Sequence, residues 1–274
     1  MTPLFISGAS GRLFAVYWSP ADKRPTRAIL HLPAFADEMN KSRRMVAEQA
    51  RAFVQQGFAV LTLDLFGTGE SDGDFGDATW DIWLQNVDEA RRWLAEQGID
   101  TVFYWGLRTG ALLAMDYIQR RSITDTRLLC WHPVLNGETF VMQFLRLRVA
   151  AAMMNSDAPR EKTSDLKQQL LSGQSLEVAG YRLHADLIKP ILALKAQQMQ
   201  LSGARELAIF EMTADAEGAP TASNVQWTET LQAQGIACGL ATVVGDQFWT
   251  TQEIIEVPAL IMETNNKVSA WLTA

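Results

Sequence analysis

Short apolar runs alternate with longer amphipathic stretches over most of the chain. The runs are flanked by turn-forming residues, a pattern typical of strands that are buried on both faces. They lie at residues 28–32, 58–63, 101–105, 127–131, 207–212 and 237–244. Between the first two runs, Met39, Val46 and Phe53 fall on one helical face, and Gly57 is a natural helix end. This alternation predicts a parallel sheet with right-handed crossovers.

Two segments depart from the alternation. Residues 4–6 and 13–18 are strand-like runs around a glycine-containing turn, which predicts an opening hairpin. Residues 137–204 have a mostly helical pattern with no convincing strand, so we interpret them as a cap over the carboxyl edge of the sheet. The predicted fold is therefore α/β, a mostly parallel sheet flanked by helices. Its core comprises residues 1–136 and 205–274, and the helical cap is inserted between them.

The composition is that of an ordinary globular protein and narrows the classes of partner. Hydrophobic residues make up 48% and charged residues 20% of the chain. The net charge of -7 disfavours binding to nucleic acid. Cys130 and Cys238 lie in apolar runs, which predicts reduced thiols and no disulfide. The start resembles no signal peptide and no segment approaches the roughly 18 apolar residues of a membrane span, so we expect a cytoplasmic protein.

The sequence Gly-Leu-Arg-Thr-Gly at residues 106–110 connects a predicted strand to a predicted helix. Together with the segments at residues 30–33 and 64–71, it resembles the α/β-hydrolase superfamily, whose nucleophile elbow is Gly-x-Ser-x-Gly. The central residue here is Arg108. A guanidinium stays protonated and has no lone pair with which to attack a carbonyl group, so Arg108 cannot replace the serine.

The superfamily resemblance also locates the other two members of a serine hydrolase triad. In the superfamily the histidine follows the last strand, where this chain has Gly-Asp-Gln-Phe-Trp and Gln247 occupies the expected position. Glutamine cannot accept a proton as a general base. The nearest candidate for the acid is Asp215. Because both the serine and the histidine are replaced, we do not expect serine hydrolase chemistry.

Several segments resemble a narrower group, the type 2 exosortase A system-associated hydrolases. These segments are residues 33–44, 73–77, 106–111, 132–138, 179–181 and 248–249. The resemblance spans nearly the whole chain and implies that an arginine at the elbow is usual in this group. It also implies a bacterial protein encoded near genes for PEP-CTERM protein export or exopolysaccharide production, with a protein of that system as a candidate partner.

The position of Arg108 allows two roles for its side chain. A helix N-terminus already favours anions, and a guanidinium can bind a carboxylate or phosphate with two hydrogen bonds. The alternative is an internal ion pair with a carboxylate of the chain. The candidate partners are Glu38, Asp64, Glu70 and Glu253. Around Arg108 we predict a pocket whose candidate residues are Leu107, Thr109, His31, Phe35, Glu38, His132, Gln247, Asp215 and Trp249.

Three of these candidates also have plain structural interpretations. His31 lies where the superfamily builds its oxyanion hole, or else it is a core histidine with its hydrogen bonds satisfied. His132 shares a predicted strand face with Cys130, which permits a Cys–His pair, although Cys130 is expected to be buried and inert. Trp249 either borders the pocket or fills the core. The sequence contains no motif for a metal site or a cofactor.

Three functions are consistent with these patterns. The first is a hydrolase-derived accessory protein of the exosortase-linked system that binds an anionic or acylated small molecule, or a partner protein, at Arg108. The second is an ester or thioester hydrolase in which Arg108 stabilises an oxyanion while another residue activates water. The third is a scaffold with a closed pocket, which an internal carboxylate partner for Arg108 would favour.

Overall fold

An eight-stranded sheet lies at the centre of the computed structural model, which describes residues 1–21, 24–154, 161–215 and 217–272. The strands of this sheet are β1 (Thr2–Ser7), β2 (Arg12–Trp18), β3 (Arg27–Leu32), β4 (Ala59–Leu63), β5 (Thr101–Leu107), β6 (Thr126–Trp131), β9 (Ala204–Thr213) and β10 (Ala237–Val244), and a separate hairpin consists of β7 (Leu176–Val178) and β8 (Tyr181–Leu183). The main sheet has the order β1-β2-β4-β3-β5-β6-β9-β10. β2 pairs antiparallel with β1 and β4, and the pairs β4-β3, β3-β5, β5-β6, β6-β9 and β9-β10 are parallel. The predicted opening hairpin and mostly parallel sheet are confirmed.

Helices cover both faces of this sheet. They are α1 (Asp37–Gln56), α2 (Trp80–Glu96), α3 (Thr109–Arg120), α4 (Gly137–Met153), α5 (Thr163–Leu171), α6 (Ala185–Ala193), α7 (Ala222–Ala233) and α8 (Pro258–Ser269). α1 and α8 pack on one face, whereas α2, α3 and α7 pack on the other. In β5, Phe103 and Trp105 face α1, and Tyr104 between them faces α2. The parallel strands are thus buried on both sides, as their continuous apolar runs predict.

Helix α1 carries Glu38 in its first turn and is fixed to the sheet along one side. Met39, Val46 and Phe53 are buried, which confirms the predicted apolar stripe. The helix ends at Gly57, whose φ of 104° lies in the left-handed region that favours glycine at a helix end. The position of Glu38 is therefore set by the packing of the whole helix.

The α4–α6 segment, described over residues 137–154 and 161–193, contains a hairpin that the sequence pattern did not indicate. β7 and β8 pair antiparallel, and the two residues between them, Ala179 and Gly180, both have positive φ, as tight hairpin turns require. The prediction that residues 137–204 hold no strand is wrong, because strands of three residues are too short to show a period. Residues 155–160 of the predicted cap lie outside the described residues.

Aromatic contacts hold the α4–α6 segment on the loops that follow β3 and β4. The ring of Phe35, just after β3, lies 5.5 Å from that of Phe140 and 5.2 Å from that of Phe144, both in α4. The ring of Phe75, in the connection after β4, lies 5.0 Å from that of Tyr181. Since these loops leave the carboxyl ends of parallel strands, the segment lies over that edge of the sheet.

The connection from β5 to α3 brings backbones into direct contact. A Cβ atom added at Gly106 would lie 2.3 Å from the Cα of Ala111, and one added at Gly110 would lie 2.0 Å from the carbonyl oxygen of Leu32. Both distances are far below van der Waals contact, so only glycine fits at these positions. Helix α3 therefore begins directly against the ends of β5 and β3.

Replacing Gly110 with alanine tests whether this close approach fixes the connection. Helix propensity alone would make Gly110→Ala stabilising by about 1 kcal/mol. The clash with the Leu32 carbonyl should reverse that sign and lower the free energy of unfolding by about 3 kcal/mol or more. Urea unfolding measures the change.

The matched control for this substitution is Gly235→Ala. A Cβ at Gly235 meets nothing within 4 Å, so only its φ of +80° is unfavourable, and the expected cost is about 1–2 kcal/mol. A Gly110→Ala protein as stable as the wild type would contradict the account of the connection.

Candidate functional site

Arg108 occupies the sharp turn between β5 and α3 and has an unfavourable backbone conformation. Its φ is 56° and its ψ is -115°, a region that costs a residue with a side chain roughly 1–3 kcal/mol. Two backbone hydrogen bonds to the neighbouring strand end hold it there. The Arg108 N–H donates to the carbonyl of Trp131 at 3.0 Å, and its carbonyl accepts from the N–H of Val134 at 3.2 Å. The elbow geometry is thus retained although its central residue is an arginine.

Two other residues with positive φ flank the elbow. Ala36 follows β3 with φ 53°, and His132 follows β6 with φ 42°. β3 and β6 are the two strands that pair with β5, so three adjacent strand ends all turn through the left-handed region at residues other than glycine. Unfavourable backbone conformations of this kind persist only where the surrounding structure holds them in place, and they cluster at functional sites.

The guanidinium of Arg108 lies between a carboxylate and an indole ring. Its Nε and Nη2 atoms donate to the two carboxylate oxygens of Glu38 at 3.4 and 3.3 Å, and Nη1 donates to the His132 carbonyl at 3.5 Å. Its Cζ lies 5.4 Å from the ring centroid of Trp249, within cation–π range. Of the four predicted partners, Glu38 is therefore the one that pairs with Arg108. Asp64 pairs instead with Arg43.

Glu38 is a weaker counterion than its two hydrogen bonds indicate. All three guanidinium contacts lie near the upper limit of hydrogen-bond length. Burial raises the pKa of Glu38, while the charges of Arg108 and Lys41 and the hydrogen bond from Arg108 oppose this shift. The Arg108 side chain is 15% exposed and lines a cavity described below. It therefore remains accessible to a ligand.

His132 is held as a neutral ring beside Arg108. Its Nδ1 accepts a hydrogen bond from the backbone N–H of Met212 at 3.0 Å, so the ring proton is on Nε2. The ring lies 4.8 Å from that of Trp249. Burial, together with the nearby charge of Arg108, lowers the pKa of His132 to about 4. Near neutral pH this histidine can donate a hydrogen bond through Nε2.

The predicted Cys130–His132 pair is not formed. Cys130 is fully buried in the core on the α2 face, whereas the ring of His132 packs on Trp249, which belongs to the core on the α1 face. The positive φ of His132 ends the strand alternation on which the prediction rested. Both cysteines are free thiols, as expected.

A cavity of about 330 Å³ opens beside the elbow, between β9, the loop after β6 and the α4–α6 segment. Its walls carry mainly amide, hydroxyl and charged groups. They comprise Arg108, His132, Pro133, Val134, Leu135, Asn136, Thr139, Phe140, Gln143, Gln197, Glu211, Thr221, Ser223 and Asn224. We call this space the elbow cavity.

Glu211, which sequence reasoning missed, is a buried carboxylate in the wall of this cavity. It lies in β9 with 5% of its surface exposed. Its Oε2 accepts hydrogen bonds from the N–H and hydroxyl of Thr221, at 2.9 and 3.3 Å, and from the amide of Asn224 at 2.7 Å. The sequence did carry a signal, because Glu211 interrupts the apolar run of residues 207–212.

His31 lies in a different cavity from Arg108. This second cavity of about 210 Å³ is formed by β2, β3, β4 and α1, and its walls are largely apolar. The His31 ring lies 4.4 Å from that of Trp105, and burial, together with the charge of Arg43, lowers its pKa to about 3. Its Nε2 has no hydrogen-bond partner among the described residues. His31 is therefore neither part of the elbow cavity nor a core histidine with both nitrogens satisfied.

The remaining predicted pocket residues are divided between the core and the surface. Phe35, Leu107, Thr109 and Trp249 are buried and do not line the elbow cavity. The ring of Trp249 nevertheless lies within cation–π range of the Arg108 guanidinium. Phe35 joins the sheet to the α4–α6 segment through the ring contacts described above.

Gln247 and Asp215, the predicted replacements for the triad histidine and acid, are both exposed. The carboxylate of Asp215 accepts a hydrogen bond from the N–H of Glu217 within its own turn, and neither residue lines the elbow cavity. Their predicted place in the pocket is corrected, because the loops after β9 and β10 direct them to solvent. Among the described residues, no hydrogen bonds link a serine, a histidine and an acid beside Arg108, and His132 accepts instead from the backbone of Met212.

Among the described residues, no three histidine, cysteine, aspartate or glutamate side chains are grouped as a metal ion would need. None of the described helices is both long and apolar enough to cross a lipid bilayer.

Comparison with known proteins places the chain in a family. The family model described as "Serine aminopeptidase, S33", Hydrolase_4, matches residues 24–206, about two thirds of the chain. The chain belongs to the Hydrolase_4 family. Its members are α/β hydrolases, so the broad resemblance in the sequence is confirmed. No curated protein matches the chain at a significant level.

Solved structures similar to this Hydrolase_4 chain share its fold at low sequence identity. Est1E from Butyrivibrio proteoclasticus, solved with ferulic acid bound, is 16% identical over 98% of each chain, with a TM-score of 0.70. The alpha/beta hydrolase domain-containing protein 10 from mouse is 13% identical over 99% of this chain and 100% of its own, with a TM-score of 0.62. A serine hydrolase without a lid from Xanthomonas campestris is 17% identical over 100% and 95%, with a TM-score of 0.59. These likenesses show the α/β-hydrolase fold.

Replacing Arg108 with methionine tests the electrostatic contact between the elbow and His132. Arg108→Met removes the charge and keeps a long side chain, so the pKa of His132 should rise above about 4. It should stay below the ordinary value because burial is the larger cause. NMR titration of the imidazole rings measures the shift. Arg43→Met is the matched control, since Arg43 acts on His31. An equal rise at His132 in both variants would contradict the assignment.

The lowered pKa of His132 also predicts the direction of a pH dependence. In the unfolded chain this histidine titrates near 6.5, so as the pH falls the unfolded state binds the proton first. The contribution of His132 to the free energy of unfolding should therefore decrease between about pH 6.5 and 4. Urea unfolding of the wild type and of His132→Asn at pH 7, 5.5 and 4 checks this. The expected result is a smaller decrease in the variant, and parallel curves would show that His132 is not the cause.

Proposed function

We propose that this protein binds an acylated or anionic small molecule at Arg108 and does not hydrolyse it by a serine mechanism. The observation that carries the proposal is the guanidinium of Arg108, which lines the elbow cavity from the centre of a retained, strained elbow. The backbone keeps the conformation that aims residue 108 at a ligand, while the side chain there can donate hydrogen bonds but cannot act as a nucleophile.

The residues around Arg108 support binding without a covalent intermediate. His132 is neutral and uses Nδ1 to accept from Met212, so its remaining Nε2–H is a donor and not a base. Gln247 and Asp215 are exposed. Among the described side chains that contact Arg108 there is therefore no free general base, because the Glu38 carboxylate accepts two hydrogen bonds from the guanidinium.

An uncharged acyl carbonyl suits the elbow better than a full anion. Glu38 already places one negative charge against the guanidinium, and Glu211 adds a second carboxylate to the cavity wall. A second anion would therefore meet repulsion, whereas a carbonyl oxygen can accept from Arg108 or from Nε2 of His132 without adding charge. Est1E has this fold and is described with ferulic acid bound, which supports a small organic ligand here.

The cellular role is inferred from the sequence resemblance. We propose that the protein is a cytoplasmic accessory of the bacterial exosortase-linked system, acting in PEP-CTERM protein export or exopolysaccharide production. The α4–α6 segment would serve as a cap over the ligand, because it lies over the carboxyl edge of the sheet. A protein of that system remains the alternative ligand for the same surface.

A second candidate is an ester or thioester hydrolase with an unconventional mechanism. Glu211 favours it, because a carboxylate in the same cavity as Arg108 could activate a water molecule while the guanidinium stabilises an oxyanion. The scaffold hypothesis is favoured by the Arg108–Glu38 pair, but the elbow cavity next to Arg108 is open.

Comparing the wild type with Arg108→Met separates these functions. We expect neither protein to hydrolyse short-chain acyl esters and thioesters above the buffer rate, and neither to be labelled by a fluorophosphonate. Binding of methyl butyrate, measured by ligand-observed NMR, should weaken about tenfold or more in Arg108→Met, because a charge-assisted hydrogen bond is lost. Arg43→Met is the control of equal charge change and should bind as the wild type does.

Each contrary outcome selects another function. Turnover by the wild type that collapses in Arg108→Met would establish the hydrolase and overturn the binding proposal. Absence of both turnover and binding, together with a stable complex with another protein, would establish the scaffold.

A further inference from the structure

Glu211 is a carboxylate at a position that the strand pattern reserves for apolar side chains. In β9, Phe210 and Met212 point to the core on the α1 face, whereas Leu207 and Ile209 point to the opposite core. Alternation places Glu211 in the second row, at the carboxyl end of the strand. A charged group in such a position requires hydrogen bonds or an ion pair, and none of the ion pairs of the described chain includes Glu211.

The two oxygens of this carboxylate are used unequally. Oε2 accepts three hydrogen bonds from Thr221 and Asn224. Oε1 accepts none from the described residues, and it is not among the buried atoms without a partner. Since Glu211 lines the elbow cavity, Oε1 is open to that space. A carboxylate has about four acceptor positions, so the network around Oε2 orients the group and leaves Oε1 for a donor from outside the chain.

The other polar side chains of the elbow cavity are mainly neutral groups that can donate and accept. Among the described residues, the side-chain amides of Gln143 and Gln197 make no hydrogen bond, and Ser223 is an exposed hydroxyl in the same wall. Charged donors are confined to Arg108 at the elbow. The cavity thus has donors at Arg108 and His132, a carboxylate acceptor at Glu211, and other side chains that can both donate and accept.

This distribution matches a ligand that carries hydroxyl groups. A hydroxyl can donate to Oε1 of Glu211 and at the same time accept from an amide of Gln143 or Gln197. An ammonium group would supply donors only, would leave those amide donors unmatched, and would be repelled by Arg108. The volume of about 330 Å³ lies at the low end of the roughly 300–1,000 Å³ typical of small-molecule sites, which suits one sugar ring with a short acyl group.

We propose that Glu211 binds a hydroxyl group of the ligand, and that the ligand is an acylated sugar or a similar acylated polyhydroxyl compound. Its acyl carbonyl would lie at Arg108 and its hydroxyls at Glu211. This inference rests on the proposed function of Arg108 and extends it by naming the ligand class. Glu211 acts as a binding residue of the elbow cavity.

The test compares three probes of defined chemistry by isothermal titration calorimetry. They are 6-O-acetylglucose, methyl acetate, which has the same acyl group without hydroxyls, and glucose. We expect the wild type to bind 6-O-acetylglucose at least tenfold more tightly than either of the others. Glu211→Gln should lose about tenfold in affinity for 6-O-acetylglucose and keep its affinity for methyl acetate. In Glu211→Gln the amide oxygen can still accept from Thr221 and Asn224. The NH2 group then takes the place of Oε1, so the acceptor for the ligand hydroxyl is lost.

Two further variants make the result specific. Asp215→Asn removes the same charge four residues along the chain, outside the cavity, and should bind as the wild type does. Gln197→Ala removes one of the free amides without altering the sheet, so it should weaken 6-O-acetylglucose binding severalfold even if Glu211→Gln fails to fold.

The contrary outcomes of the two proposals are distinguishable. Equal binding of 6-O-acetylglucose and methyl acetate by the wild type, or unchanged binding in a folded Glu211→Gln, would overturn the role of Glu211 and leave Arg108 as the acyl site. Binding of neither acyl probe would overturn both proposals.

Discussion

The contact between the start of α3 and the ends of β3 and β5 is the constraint on which the candidate site depends. Gly106 and Gly110 allow backbones to approach where any side chain would overlap a neighbouring atom. Residue 108, between them, has a positive φ of 56°, and its side chain lines the elbow cavity. The fold therefore directs the side chain of residue 108 toward the elbow cavity. In the superfamily this position holds a nucleophilic serine, whereas an arginine there can only donate hydrogen bonds.

The groups around Arg108 are those that stabilise a positive charge. Glu38 is placed by α1, Trp249 supplies a ring face, and the His132 carbonyl accepts from the third nitrogen. These contacts are long and include a carboxylate whose pKa is raised by burial, so they hold the guanidinium without removing it from the cavity. Glu211, across the same space, is oriented by Thr221 and Asn224. The cavity is therefore polarised, with donors at the elbow and an acceptor at β9.

The sequence alone predicted the strands of the main sheet, the helix of Glu38 and the position of Arg108, because buried parallel strands and glycine-bounded turns leave continuous local patterns. It missed the short β7–β8 hairpin. It left Glu38 as one of four partners, since the choice depends on how α1 leaves β3 through the positive φ of Ala36. The sequence did not show that His31 lies in another cavity. β3 is buried on both faces, so its residues give no alternation from which the direction of the His31 side chain could be predicted. Gln247 and Asp215 lie in loops that follow strands, and a loop has no hydrophobic period from which the direction of its side chains could be predicted. Glu211 was detectable only as one acid in an apolar strand.

The central claim is that the elbow binds an acyl group and does not cleave it. Real-time proton NMR of the protein with excess methyl butyrate observes binding and cleavage in one sample. The account predicts saturation transfer from the protein to the butyryl protons, with butyrate accumulating no faster than in buffer. Butyrate released at a rate proportional to protein concentration would contradict it.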